Sequence, residues 1–233
     1  MNKMKIIKIG LIVWFIIIWT IYIQAQTFEK PNYALKSHET LEIRKIELTP
    51  EKTIVSLSVE NRIVGGTFCA DRNIFLTDPD GRKLKLKKAA GIPVCPDNYK
   101  FKSIGEKLQF TLEFPPLPES VKWIDITEEC DENCFSLYGV VLNSELNGRL
   151  DEADSFAGKS DYKGAINAYS GILTNLSKAD EGIEGALYTD IITLLVRAGD
   201  RAGAAEWYKK MVNSGAPRLD LYIANLNSRG IKF

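Results

Sequence analysis

The spacing of the apolar residues changes near Asn143, and this change limits the folds that the chain can adopt. Up to that point, short runs alternate apolar and polar side chains, which is typical of β-strands with one buried face. Beyond it, apolar residues recur every three to four positions, which is typical of amphipathic helices. We therefore predict an α+β protein with two domains, a β-domain at residues 41–143 and a helical domain at residues 144–233.

The β-domain contains about seven short runs separated by turns rich in Gly, Pro and Asp, such as residues 78–81. No helical spacing separates the runs, which excludes parallel strands joined by crossover helices. The pattern predicts an antiparallel, immunoglobulin-like β-sandwich. Residues 26–40 are polar and mixed, and we interpret them as a lead-in segment.

The helical domain divides into four predicted helices and a shorter amphipathic segment at its end. These cover residues 145–159, 162–175, 182–198, 200–213 and 219–226.

The amino-terminal residues have the pattern of a secretory signal peptide. Lys3, Lys5 and Lys8 precede an apolar run at residues 9–23, and Ala25 is a small residue suited to cleavage before the next position. The run is shorter than the roughly 20 residues of a spanning helix. We predict a signal peptide at residues 1–25 and a mature protein in the periplasm, cell envelope or medium. The alternative is an uncleaved anchor, which would be the sole membrane contact.

Four cysteines, Cys69, Cys95, Cys130 and Cys134, all lie in the β-domain. An even number in an exported protein indicates two disulfides, with three possible pairings. We favour Cys69 with Cys95 and Cys130 with Cys134, because the second pair brackets a short polar tip. Metal and redox sites are less favoured, since the one histidine is distant in sequence and no two-residue cysteine spacing occurs. No cofactor is predicted.

Residues 161–169 and 200–208 share a pattern in the helical domain. Each begins with Asp, has Ala four positions later and Tyr eight positions later. On a helix, Ala165 lies beside Tyr169, and Ala204 beside Tyr208. A small residue beside a large one allows a neighbouring helix to approach closely.

With Phe156 and Gly158 before the first copy, and Leu195 and Pro217 around the second, residues 145–217 resemble tetratricopeptide repeats. Arg149 and Glu152 depart from that pattern, and the two turn aspartates are 39 residues apart rather than about 34. The resemblance implies stacked helical hairpins that bind a partner along the first helix of each. The implied partner-binding face consists of Asn147, Asp154, Thr189, Thr193 and Arg197.

These features favour an exported, non-enzymatic scaffold of the bacterial cell envelope that binds a protein or peptide. The β-domain is also similar to small β-domains of exported proteins of Gram-negative bacteria. Basic and acidic residues number 30 each, which argues against nucleic-acid binding. Only His38 could serve a Ser-His-Asp or Cys-His mechanism, so we do not expect an enzyme.

An alternative function is ligand binding by the β-sandwich, with the helices as a brace. Phe110, Phe114 and Trp123 could stack on a glycan, or they could belong to the core.

Overall fold

A computed structural model of the protein describes residues 25–176 and 182–233. The predicted signal peptide lies outside this part of the chain, except for Ala25. Antiparallel strands come first and helices follow, so the predicted α+β class is confirmed. The transition falls at Asn143, whose side-chain oxygen accepts hydrogen bonds from two backbone amides of the first helical turn.

The described residues form twelve strands, and all the paired strands are antiparallel. The strands are β1 (Gln26–Glu29), β2 (Leu35–Lys36), β3 (Leu41–Leu48), β4 (Thr53–Glu60), β5 (Thr67–Phe68), β6 (Ile74–Thr77), β7 (Lys83–Lys85), β8 (Lys88–Ala90), β9 (Tyr99–Lys100), β10 (Lys107–Phe114), β11 (Trp123–Glu128) and β12 (Ser136–Val141). One five-stranded sheet has the order β1-β3-β4-β10-β8 and the other has the order β2-β12-β11-β6-β7, while β5 pairs with β9.

The two five-stranded sheets enclose one apolar core in a sandwich-like arrangement. Strand β10 illustrates why the register is fixed. Its inward side chains are Leu108, Phe110, Leu112 and Phe114. Burial of each such side chain contributes about 1.5–3 kcal/mol, and a shift by one residue would turn all four to solvent.

The segment that the sequence suggested as a lead-in contributes a strand to each sheet. Strand β1 pairs with β3, and β2 pairs with β12. Phe28 is buried in the core. Strands of four and two residues are too short to show alternation in the sequence, which is why the polar composition dominated the prediction.

The two disulfides have the predicted pairing. Cys69 is bonded to Cys95, and Cys130 is bonded to Cys134 across the loop between β11 and β12.

Five helices follow: α1 (Ser144–Gly158), α2 (Tyr162–Asn175), α3 (Glu184–Arg197), α4 (Arg201–Asn213) and α5 (Leu219–Ser228). Each of the first three packs on the next, and α5 packs on α3. Their apolar faces form a second core.

The turns before α2 and α4 are built in the same way. Asp161 accepts a hydrogen bond from the Gly164 amide at 2.9 Å, and Asp200 accepts one from the Gly203 amide at 2.8 Å. A Cβ on either glycine would lie 2.4 Å from the capping carboxylate. The shared Asp and Gly therefore reflect one capping geometry that requires both residue types.

The helices and the sandwich-like part meet at Arg218, immediately before α5. Its guanidinium donates to the Asp125 carboxylate at 2.8 Å, and the two side chains are only 19% and 13% exposed. The guanidinium also lies over the rings of Trp123 and Tyr138. Limited access to water strengthens both kinds of contact.

We expect Arg218→Met to lower the free energy of unfolding by about 3 kcal/mol, because Asp125 would lose its cationic partner in a mostly buried position. Urea unfolding measures the change. Arg72→Met, at an exposed position, is the matched control and should shift stability by less than about 0.5 kcal/mol. Equal unfolding of the two variants would contradict a stabilising role for the pair.

We expect Ala165→Leu and Ala204→Leu each to lower the free energy of unfolding by about 1–3 kcal/mol, because both alanines are fully buried. Thermal unfolding provides the measurement. Ala202→Leu, at an exposed position of α4, should be nearly neutral because Ala and Leu have similar helix propensities. Melting temperatures that do not differ among the three variants would argue against close helix packing at these positions.

Candidate functional site

A cleft lies beside the segment that joins β1 to β2, and we call it the junction cleft. Its outer cavity has a volume of about 480 Å³ and is lined by Lys30, Pro31, Asn32, Tyr33, Glu42, Ile43, Arg44 and Asp154. Its inner cavity, of about 80 Å³, is lined by Asn32, Tyr33, Leu150, Asp154, Tyr169, Ile183, Ala186, Leu187 and Asp190. The two cavities share three residues, so they form one site between the sandwich-like part and the first three helices.

Asn147 attaches this connecting segment to α1. Its side-chain oxygen accepts a hydrogen bond from the Asn32 amide at 2.8 Å, and its side-chain nitrogen donates to the Val141 carbonyl at 3.0 Å. The Asn32 side chain donates to Asp151, also on α1, at 2.9 Å. These contacts fix one wall of the cleft against the helices.

Two carboxylates and a tyrosine form the inner end of the cleft. Asp154 belongs to α1, Tyr169 to α2 and Asp190 to α3. The hydroxyl of Tyr169, a buried residue, donates to the Asp154 carboxylate. The Asp190 side chain forms no hydrogen bond or ion pair with any residue that the structure describes.

The environment of Asp190 disfavours its charge. Burial, and secondarily the charge of Asp154, raise the pKa of Asp190 to about 7, against the opposing effect of Arg229 and Arg197. Burial and the same two carboxylates raise the pKa of Tyr169, which remains a neutral donor. Asp190 therefore changes its charge close to neutral pH.

This arrangement is suited to a ligand that carries a cation. An amine or guanidinium beside Asp190 would supply the hydrogen-bond donor and the positive charge that the carboxylate lacks. The outer cavity has Lys30 and Arg44 beside Glu42, and these cations can accommodate carboxylate or carbonyl oxygens of the same ligand.

The structure separates the five residues of the predicted partner-binding face. Asp154 lines the cleft, and Asn147 is used in the attachment just described. Thr189 and Thr193 are buried, and their hydroxyls donate to backbone carbonyls of α3. These two threonines form no part of an accessible surface, because the stripe they occupy faces the helical core. Arg197 is exposed in the last turn of α3.

The aromatic residues considered for glycan stacking are only 3%, 0% and 6% exposed, for Phe110, Phe114 and Trp123 respectively. They belong to the interior, so they offer no platform to a sugar ring. His38 lies elsewhere, with its Nδ1 at 2.8 Å from the Ser37 hydroxyl. Burial lowers the pKa of His38.

Asp190, Asn32 and Tyr33 are site residues that the sequence prediction missed. Asp190 had a recognisable signal, because it is an acidic residue directly before Ile191 and three positions after Leu187 on an otherwise apolar helix face. Asn32 and Tyr33 had none, because their position depends on strand pairing between distant parts of the chain.

No protein-family model, curated protein or solved structure matches this chain. Among the described residues, no helix is both long and apolar enough to cross a membrane. The same residues contain no group of three or more His, Cys, Asp or Glu side chains placed to hold a metal ion.

We expect Asp190→Asn to change the pH dependence of stability. The native state keeps the Asp190 proton up to about pH 7, whereas the unfolded chain releases it near the ordinary value of 3.8. The contribution of Asp190 to stability is therefore lost as the pH rises between these two values. Relative to the parent, Asp190→Asn should gain about 2 kcal/mol across this range, an amount that allows for the partial exposure of the side chain.

Chemical unfolding at several pH values measures this gain. The groups that influence Asp190 are Asp154, Tyr169, Arg197 and Arg229, and all remain in the variant. Asp220→Asn, at an exposed position, is the control and should show no such trend. A pH-independent difference between Asp190→Asn and the parent would contradict the raised pKa.

Proposed function

We propose that the protein is an exported, non-enzymatic binding protein of the bacterial cell envelope or medium, and that it holds a protein or peptide partner in the junction cleft. The single observation that carries the proposal is the Asp190 carboxylate at the inner end of the cleft, which has no bonded partner among the described residues. The partner would place a lysine or arginine side chain, or a free amino terminus, beside this carboxylate.

Export is supported by the two disulfides, because such bonds persist in oxidising compartments. The lysine-flanked apolar run before Ala25 points in the same direction. Two sheets around a single core are compatible with an immunoglobulin-like sandwich. A rigid, disulfide-linked part of this kind would serve as a support for the binding segment at residues 30–33.

A tetratricopeptide-like role for the helices is supported by the repeated turn geometry. Asp161 and Asp200 cap successive hairpins in the same way, and Ala165 and Ala204 are fully buried at equivalent positions. In such an array, the first helices of the hairpins are α1 and α3. Asp154 and Asp190 belong to these helices, which agrees with partner binding on that side.

Binding by this mode depends on the charge of Asp190. A ligand cation would favour the ionised carboxylate and would lower its pKa, so binding should release a proton near neutral pH. Affinity should therefore increase as the pH rises through about 7. A hydrogen bond between charged partners is worth about 1.5–3 kcal/mol, which corresponds to a change in affinity of roughly tenfold or more.

The test uses panels of short peptides that contain lysine, arginine, norleucine or glutamate at one position and are otherwise identical. We expect basic peptides to bind at least about tenfold more tightly than their norleucine counterparts. Asp190→Asn should remove this preference together with its pH dependence. Calorimetry in two buffers of different ionisation enthalpy measures the proton release.

Asp220→Asn is the matched control and should bind like the parent. Equal affinity of the parent for basic and norleucine peptides would contradict the proposed binding mode. Equal affinity of Asp190→Asn and the parent for a basic peptide would place the binding site elsewhere on the protein.

A further inference from the structure

Two neighbouring turns present exposed aliphatic side chains at one end of the sandwich-like part, and we call them the apolar tip (residues 61–66 and 102–106). Ile63, Val64 and Ile104 are 66%, 90% and 60% exposed. Other described large apolar side chains that are exposed, such as Val212 at 41%, lie on separate elements. Isolated exposure of an apolar residue is common on soluble proteins, whereas a cluster on adjoining turns indicates a contact surface.

Asn61 fixes the two turns to each other. Its backbone amide donates to the Glu106 carbonyl at 2.9 Å, and its carbonyl accepts from the Gly105 amide at 2.8 Å. Its side chain donates to the Ser103 carbonyl at 2.8 Å. The aliphatic side chains are thus held in place before any contact is made, so binding requires little further ordering of the backbone.

The turns have a similar order of residues. In the first, Arg62 precedes the aliphatic pair and Gly65 follows it, while in the second, Lys102 comes two positions before Ile104 and Gly105 follows. Both glycines have positive φ, of 72° and 85°. This left-handed conformation, which glycine adopts without strain, reverses the chain directly after the aliphatic residue. The three exposed aliphatic side chains therefore lie directly before these chain reversals.

The two turns contain two basic side chains, Arg62 and Lys102, and one acidic side chain, Glu106. The Arg62 guanidinium also contacts the Glu39 carboxylate at 3.4 Å and the Glu60 carboxylate at 4.0 Å. Glu106 ends the second turn. Its carboxylate accepts hydrogen bonds from the Tyr99 hydroxyl and from the Lys102 and Ser103 amides, so part of its charge is offset by these donors.

We propose that the apolar tip docks onto an anionic lipid surface, with Ile63, Val64 and Ile104 entering the interfacial layer and Arg62 and Lys102 contacting lipid phosphates. Projecting aliphatic side chains with adjacent cations are complementary to the apolar interior and negative headgroups of such a surface. A protein pocket is the competing occupant, but it would not require cations at both turns. This docking is independent of the junction cleft.

Vesicle sedimentation tests the proposal, with protein recovered from the soluble fraction after export. The vesicles consist of phosphatidylcholine alone or of phosphatidylcholine mixed with phosphatidylglycerol. We expect the parent to bind the anionic vesicles more tightly. Combined Ile63→Ser, Val64→Ser and Ile104→Ser should weaken this binding by about tenfold or more. Lys102→Gln alone should weaken it about fivefold on anionic vesicles and leave binding to neutral ones unchanged.

Val212→Ser removes an exposed aliphatic side chain from α4 and is the matched control, for which parent-like binding is expected. Because the substituted positions are exposed, the serine variant should keep its fold, and its melting temperature verifies this.

Failure of the parent to bind either vesicle would overturn the proposal and would favour a protein contact for the tip. Undiminished binding of the triple serine variant would overturn it as well.

Discussion

The ion pair between Arg218 and Asp125 holds the helices against the sheets, and the junction cleft lies between these two parts. Asp125 has two functions at once. One carboxylate oxygen accepts from Arg218, and the other accepts from the Gly139 amide at 2.7 Å, next to the point where the pairing of β11 with β12 shifts register between Ile124 and Ile126. The hydrogen bond beside the register shift of β11 and β12 and the ion pair with Arg218 therefore use the same carboxylate, that of Asp125. Such coupling makes the position of the helices sensitive to the local shape of the sheet.

Inside the helical part, by contrast, the carboxylate of Asp190 has no paired cation among the described residues. A carboxylate on an apolar helix face costs free energy when it ionises, and the protein does not offset that cost at Asp190 with a bonded cation among the described residues. Tyr169 satisfies Asp154 but leaves Asp190 without a donor. A position of this kind lowers the stability of the free protein and can recover that loss on binding a suitable ligand. The pKa near neutrality is a direct expression of the imbalance.

The sequence was informative where local patterns decide structure. The helix boundaries follow from capping residues such as Asp161 and Asp200, and the disulfide pairing follows from the short loop closed by Cys130 and Cys134. Burial of Thr189 could not be predicted, because a hydroxyl that bonds to its own helix has no distinctive sequence pattern. The cleft could not be predicted from the sequence either, since it depends on contacts across more than a hundred residues, such as those of Asn32 with α1. Long-range pairing is therefore the main limit on predicting the site.

The pairing of β2 with β12 joins distant parts of the sequence, which has a consequence for folding. The Ser136 amide donates to the Ser37 hydroxyl across 99 residues, so the second sheet reaches its final edge only after almost the whole β-region has emerged. Until then β12 is absent, and the side of β11 that it covers has unpaired backbone groups that could bind other chains. The helices involve contacts between near neighbours and can form quickly once synthesised. The slowest step of folding should thus be the closure of the sheet by the segment that leads into the cleft, which links completion of the binding site to completion of the fold.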